Sequence, residues 1–287
     1  MKYFIKAMRP NQWIKNFFIF AGLIFSGNLF NVDLVIRSIG VLFLFCLVAG
    51  SSYIINDVLD LESDRKHKEK AQRPLAAGQL KVSHGLTGAV IIVLVAIATS
   101  FVLGFNFAMV LITYFLMNLL YSLYLKKLVI IDVLVISLGF VLRVLGGILA
   151  IGAVPTPWII MCTIFLSLFI ALCKRKQEIV FLEKDTSLHR GILKKYTLTY
   201  LDQLINFSST ATVFSYVMFT AISGRNINLM YTIPFVLYGV MRYMYLVFVE
   251  KKTFSPTDAL MQDQPLQRTV IIWLFSIILI LYLGHVQ

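Results

Sequence analysis

Residues 56–78 read NDVLDLESDRKHKEKAQRPLAAG, the densest run of charge in the chain, and they follow directly on an apolar run suited to a bilayer. Asp57, Asp60 and Asp64 fall at i, i+3 and i+7. A helix through this stretch therefore puts all three carboxylates on one face, with Asn56 alongside. Like charges this close repel unless a cation or a proton neutralises them. Hard oxygen ligands that leave coordination positions for water and phosphate suit Mg²⁺, which makes Asn56, Asp57, Asp60 and Asp64 the candidate metal ligands. Arg65, Lys66, Lys68, Lys70 and Arg73 come next and could hold the phosphates that such an ion bridges. The plainer alternative is a solvated loop whose basic residues only set topology. The shared helical face and the rigid RPLAAG turn favour a metal–diphosphate site at a membrane surface.

Outside this stretch the chain is apolar. Of 287 residues, 59% are hydrophobic and 14% charged, and mean hydropathy is +0.83. A soluble domain carries roughly a quarter charged residues, so this is a polytopic membrane protein. The net charge of +12 would suggest nucleic acid in a soluble chain. Here the basic residues sit at the ends of apolar segments, with no aromatic-interleaved groove pattern, so no nucleic-acid partner is expected. Cys46, Cys162 and Cys173 have neither metal nor redox spacing and read as small core residues. The N-terminus lacks the order of a cleavable signal peptide.

Met1 to Gln12 reads as an interfacial helix leading into nine spans. These run about Trp13–Phe30, Ser38–Ile55, Leu80–Leu103, Phe105–Leu125, Leu128–Ile151, a sixth ending in Cys173, the basic run 174–176 and Glu178, then Leu204–Ile222, Leu229–Val249 and Val270–Gly284. The expected fold is an all-α bundle of about nine transmembrane helices, a single integral membrane domain over 1–287. Polar loops fall near 56–82 and 174–203, and 253–267 reads as an ordinary surface loop. Nine spans put 22 of the 26 Lys and Arg on the N-terminal side. The positive-inside rule then places the N-terminus and both large loops in the cytoplasm. The loops recur after four helices, which hints at two related halves, although their sequences are too different to claim a repeat.

Three further places carry candidate residues. YSLYLKKLVIIDV puts Tyr121, Lys126 and Asp132 at the membrane level of the acid cluster, and Asp132, entering a span, needs a partner such as Lys126 or bound substrate. Arg143 lies three turns into a span and must face the bundle interior, pairing with a carboxylate or binding a substrate anion. Gly146 and Gly147 suit close packing better than nucleotide binding. Lys174, Arg175 and Glu178 offer either an i, i+4 salt bridge or a second phosphate grip.

With these motifs in hand, NDxxDxxxD followed by RPLAAG at the end of a second span resembles the UbiA-type intramembrane prenyltransferase superfamily. RPNQWIKN at 9–16, YxxxLKxxxxxDV from Tyr121 to Val133, and KRKQE at 174–178 look most like its decaprenyl-phosphate phosphoribosyltransferase branch. The resemblance implies transfer of 5-phosphoribose from 5-phosphoribosyl 1-diphosphate (PRPP) to a polyprenyl phosphate. Its implied catalytic residues are Asp57, Asp60 and Lys126. The implied substrate-binding residues are Lys15, Asn56, Lys70, Arg73, Tyr121, Asp132, Arg143, Lys174 and Arg175. Mg²⁺ is the implied cofactor, a bacterial-type inner membrane the implied location, and a homo-oligomer is compatible with it. Aromatic prenyltransferases of the superfamily are acidic where this chain has KRKQE, although Glu183 and Asp185 keep that alternative open. A transporter is the third reading, and Arg143 is the main feature that fits it.

Overall fold

The computed structural model describes residues 1–67, 69–182, 195–222, 226–250, 259 and 262–283. Lys68, Glu183 and Asp185 lie outside them. Among the described residues the chain is helical, and eight helices are long and apolar enough to cross a membrane. It is a multi-pass membrane protein. The chain packs into two compact units, residues 1–135 with 142–154, and residues 136–141 with 155–287.

The first unit begins with α1 (Lys2–Ala7), a 3₁₀ stretch Pro10–Ile19 and α2 (Phe20–Phe25). A single α-helical span over 13–30 was expected, and the structure replaces it with this broken segment. At about 2.0 Å per residue in the 3₁₀ part and 1.5 Å in the helical part, those 16 residues reach roughly 29 Å, close to the bilayer's apolar thickness. Next come α3 (Val32–Leu59), the short α4 (Leu61–Arg65), α5 (Val82–Leu103), α6 (Phe105–Leu123) and α7 (Ile131–Ala150). Asn31 caps α3 by accepting from the Leu34 amide at 3.2 Å, so that helix starts six residues before the expected Ser38.

α5 shows why this unit belongs in lipid. It buries Gly85, Ala89, Val93, Ala96 and Ser100 and exposes Leu86, Val90, Ile91, Leu94 and Val95. Small side chains face inward, where they let helices approach, and large apolar ones face outward, where lipid tails solvate them. Inside, Phe45 of α3 packs edge-on to Tyr114 and tilted against Phe107, both of α6. The closest approach is at α7. A Cβ on Gly147 would collide with the Ile19 carbonyl oxygen, and one on Gly146 would lie 2.7 Å from the Phe45 ring. Both glycines are packing positions, as expected.

The second unit holds α8 (Pro157–Leu182), α9 (Leu198–Ile222), a 3₁₀ turn Ile227–Thr232, α10 (Ile233–Phe248) and α11 (Gln264–Leu283). α8 runs through KRKQE to Leu182 and α9 begins at Leu198, so much of the expected polar loop 174–203 is helix. The i, i+3 pair Arg175–Glu178 at 2.6 Å and the i, i+4 pair Lys174–Glu178 at 3.9 Å favour that extension. The end of the expected 253–267 loop is also helical. Asp263 accepts from the Leu266 amide at 2.9 Å, which starts α11, and it takes Arg242 Nη2 at 2.7 Å.

Candidate active site

The acid-rich stretch lies where α3 ends. Asp60 leaves helical geometry (φ −96°, ψ 8°) and α4 restarts at Leu61, so the continuous helical face expected for the three carboxylates is interrupted. Backbone bonds from Asp60 N to Asn56 O and from Asp64 N to Asp60 O, both 2.9 Å, carry the chain across the break. Across that break the carboxylates fall into two groups, set by the cation each one meets.

Arg73 closes the first group. Its Nη1 donates to Asp57 Oδ1 at 3.0 Å and to Asp64 Oδ2 at 2.5 Å, and Arg9 Nη2 also donates to Asp57 Oδ1. Both acids are only 2% exposed, so their charge depends on these guanidinium groups. Lys126 closes the second group, with Nζ 2.6 and 2.8 Å from the two Asp60 oxygens and 3.4 Å from Asn56 Oδ1, while Asn56 Nδ2 donates to Asp60 at 3.2 Å. Lys126 or bound substrate was the expected partner for Asp132. The Lys126 ammonium goes instead to Asp60, because packing of α6 on α3 brings the α6–α7 connection to the end of α3.

Local sequence explains how Arg73 arrives. Leu75 is buried with Ile54, Ala7, Met8 and Ala89, which pins the RPLAAG turn against α1, α3 and α5. The Ala77 amide donates to Arg73 O at 2.8 Å and Gly78 takes φ 72°, closing the turn. Arg73 is thereby fixed in extended geometry beside the acids.

Lys15 and Tyr121 are half-buried on the 3₁₀ stretch and α6, and Lys70 is half-buried on a 3₁₀ turn, Lys70–Gln72. Asp132 is fully buried in the first turn of α7, where a helix N-terminus favours a carboxylate. Ile130, just before it, has φ 70°, an outlier for a β-branched residue. Arg143 is buried, with Nε donating to Asn16 Oδ1 and Nη2 to the Tyr114 hydroxyl, each at 2.6 Å, so it ties the 3₁₀ stretch to α6 and α7. In the second unit Arg175 holds Glu178, and Lys176 reaches Asp202 at 2.6 Å beneath the Phe248 ring. Sequence reading left Arg9 out of the site, although it stands before a proline in the RPNQWIKN motif.

The donor atoms at the end of α3 are all oxygen, from three carboxylates and one amide, which fits a hard divalent cation. Two carboxylate oxygens already converge on Arg73 Nη1, and two more on Lys126 Nζ. Among the described residues no three Asp, Glu, His or Cys side chains gather as a metal site; Arg73 stands between Asp57 and Asp64, and Lys126 is bound to Asp60.

Residues 16–262 match the model of the UbiA prenyltransferase family. The chain is 32% identical to a decaprenyl-phosphate phosphoribosyltransferase of Corynebacterium glutamicum over 97% of this chain and 86% of the relative. A protein of the same name from Mycolicibacterium smegmatis is 30% identical, with 95% and 90% covered. The fold matches that of a UbiA homolog from Archaeoglobus fulgidus solved with GPP and Mg²⁺, at TM-score 0.75 and 17% identity over 96% of this chain and 99% of that one. The same homolog bound to Cd²⁺ gives a TM-score of 0.70 at equal coverage. Sequence along most of its length and fold agree, and the chain belongs to the UbiA prenyltransferase family.

Proposed function

We propose that this protein transfers 5-phosphoribose from PRPP to a polyprenyl phosphate and releases diphosphate. The observation that carries this reading is the likeness, over nearly the whole chain, to relatives named decaprenyl-phosphate phosphoribosyltransferase. The charge arrangement supports it. An acidic pair and an acid–amide pair, each bound to a basic side chain, can exchange those ion pairs for a metal and the anionic donor with little change in net charge.

In this reading Asn56, Asp57, Asp60 and Asp64 would hold Mg²⁺, which would supply neutralisation of charge on the donor diphosphate. Arg73 and Lys126 turn from the acids to the phosphate oxygens. An oxygen of the lipid phosphate forms a bond to C1 of the ribose as the C1–diphosphate bond breaks, and the electron pair leaves with the diphosphate. Arg73 and Lys126 stabilise that departing charge. A phosphate monoester is already anionic near neutral pH, so no side chain is required to remove a proton. Lys70, Arg143, Lys174 and Arg175 are further candidates for phosphate contacts, and Lys15, Tyr121 and Asp132 for placing the substrates. The excess of Lys and Arg on the N-terminal side supports a reaction at the cytoplasmic face, and a bacterial-type inner membrane is the proposed location.

The test is to supply purified protein with Mg²⁺, PRPP and a polyprenyl phosphate and look for a phosphoribosylated lipid. Product is expected, and its loss on chelation. Product only from a prenyl diphosphate with an aromatic acceptor would replace this reading with aromatic prenyl transfer.

A further inference from the structure

A cleft of about 230 Å³ opens beside Asp57, lined by Lys6, Arg9, Glu69, Gln72 and Arg73 among others. That is below the roughly 300–1,000 Å³ of sites that enclose a whole small ligand, so it suits one group of a larger substrate. Its walls carry three cationic side chains, Lys6, Arg9 and Arg73, beside the carboxylates Asp57 and Glu69, and a phosphate can use those cations where an isoprenoid tail cannot.

Arg9 is built into this cleft by the backbone. Ala7 and Met8 are buried, and Met8 sits so close to α3 that a Cβ on Gly50 would lie 2.9 Å from its own Cβ. The chain then turns through Arg9 at φ 53°, ψ 65°, a left-handed conformation uncommon for a residue with a side chain and held here directly before Pro10. That turn lays the guanidinium 5.0 Å from the centre of the Tyr53 ring and against Asp57. Arg9 remains 27% exposed, and among the described residues only its Nη2 is committed to a carboxylate. A guanidinium offers five N–H donors in a planar fork matched to phosphate.

We propose that this cleft is the subsite for the 5-phosphate of the donor, with Arg9 as the residue that selects a phosphorylated pentose and Lys6 assisting at the rim. The inference rests on the function proposed above. In that reading Asp57 turns to the metal, and Arg9, restrained by its backbone and by Tyr53, stays in the cleft with donors to spare. A donor with phosphate at both ends needs two anion sites. Arg73 and Lys126 serve the diphosphate, which leaves the Lys6–Arg9 side for the monoester.

The test compares equilibrium binding of PRPP and of ribosyl 1-diphosphate, which lacks the 5-phosphate, to the full-length protein and to Arg9→Gln, Arg9→Lys and Lys6→Ala. Steady-state KM values for PRPP and for polyprenyl phosphate accompany it. Arg9→Gln is expected to weaken PRPP by about tenfold to a hundredfold, the range of a charge-assisted hydrogen bond, and to leave ribosyl 1-diphosphate within about twofold. Arg9→Lys should recover part of the loss, and Lys6→Ala, on an exposed side chain, should show the same selectivity at about twofold to fivefold. Equal weakening of both donors, or a rise in KM for the lipid phosphate alone, would overturn the subsite. Wild-type protein that turns over PRPP beside an Arg9→Gln variant with unchanged preference sinks the subsite and spares the function. Wild-type protein that neither binds nor uses PRPP sinks both.

Discussion

Asp57 and Asp60 differ by three positions, yet they answer to different cations, Arg9 and Arg73 for one and Lys126 for the other. Lys126 therefore has a measurable part of its own. Lys126→Met should lower kcat with PRPP at least about tenfold, and Lys126→Arg should restore part of it, because a side chain stabilising departing charge is worth about 2–4 kcal/mol. A kcat within about twofold of wild type in Lys126→Met would remove it from the reaction. His67 supplies a second prediction. Burial, and then the charge of Lys70, hold its imidazole below the ordinary value of 6.5. Its Nδ1 accepts from the amides of Glu69 at 3.3 Å and Lys70 at 3.4 Å, which a proton there would forbid. The folded state then binds fewer protons than the unfolded one just below pH 6.5, so stability present above that pH is lost as pH falls. Tm measured at about pH 7.5 and about pH 5.5 should drop more for wild type than for His67→Gln; equal drops would show that His67 contributes nothing.

Among the elements, the broken segment 10–25 departs furthest from expectation. Hydropathy marks it as membrane-depth chain, but whether it is α or 3₁₀ depends on what it packs against. Ile19 lies against the bare backbone of Gly147, and Asn16 is held by Arg143 and donates to Cys46 Sγ at 3.1 Å. The two α7 glycines test this contact separately. Gly147→Ala pushes a methyl group into a carbonyl and should cost about 1–3 kcal/mol or more. Gly146→Ala meets the outer edge of the Phe45 ring at 2.7 Å, a side-chain contact and not backbone, and should cost less. The ranking is read from Tm in detergent, and the reverse order would contradict the contact. The KRKQE stretch shows the opposite case, since its i, i+3 and i, i+4 charges already favoured a helix in the sequence, although a polar loop was the expectation.

For the molecule as a whole, the positive-inside count predicts the side from which the exposed residues 77–79, at the end of the RPLAAG turn, are reached. A cysteine at Gln79, which is exposed, should react with an impermeant thiol reagent in inside-out vesicles and stay unmodified in right-side-out ones. Labelling from the other side would invert the topology and with it the location of the reaction.

The sequence by itself determined that this is an all-α membrane protein, the order of its long helices, and the place of its densest acids and bases. The reason is that lipid leaves a spanning backbone few ways to satisfy its hydrogen bonds, and runs of apolar residues display that choice directly. The oxygen-rich donor set of the site was legible too, since those residues are neighbours in the chain. Only the tertiary structure decided which cation meets which acid. Arg9 and Asp57 are 48 positions apart, and Lys126 and Asp60 are 66 apart. Many basic residues near that membrane level satisfy the same sequence pattern. Burial of Met8 and Leu75, the left-handed turn at Arg9 and the break at Asp60 make the selection, because packing sets the distances over which charges act.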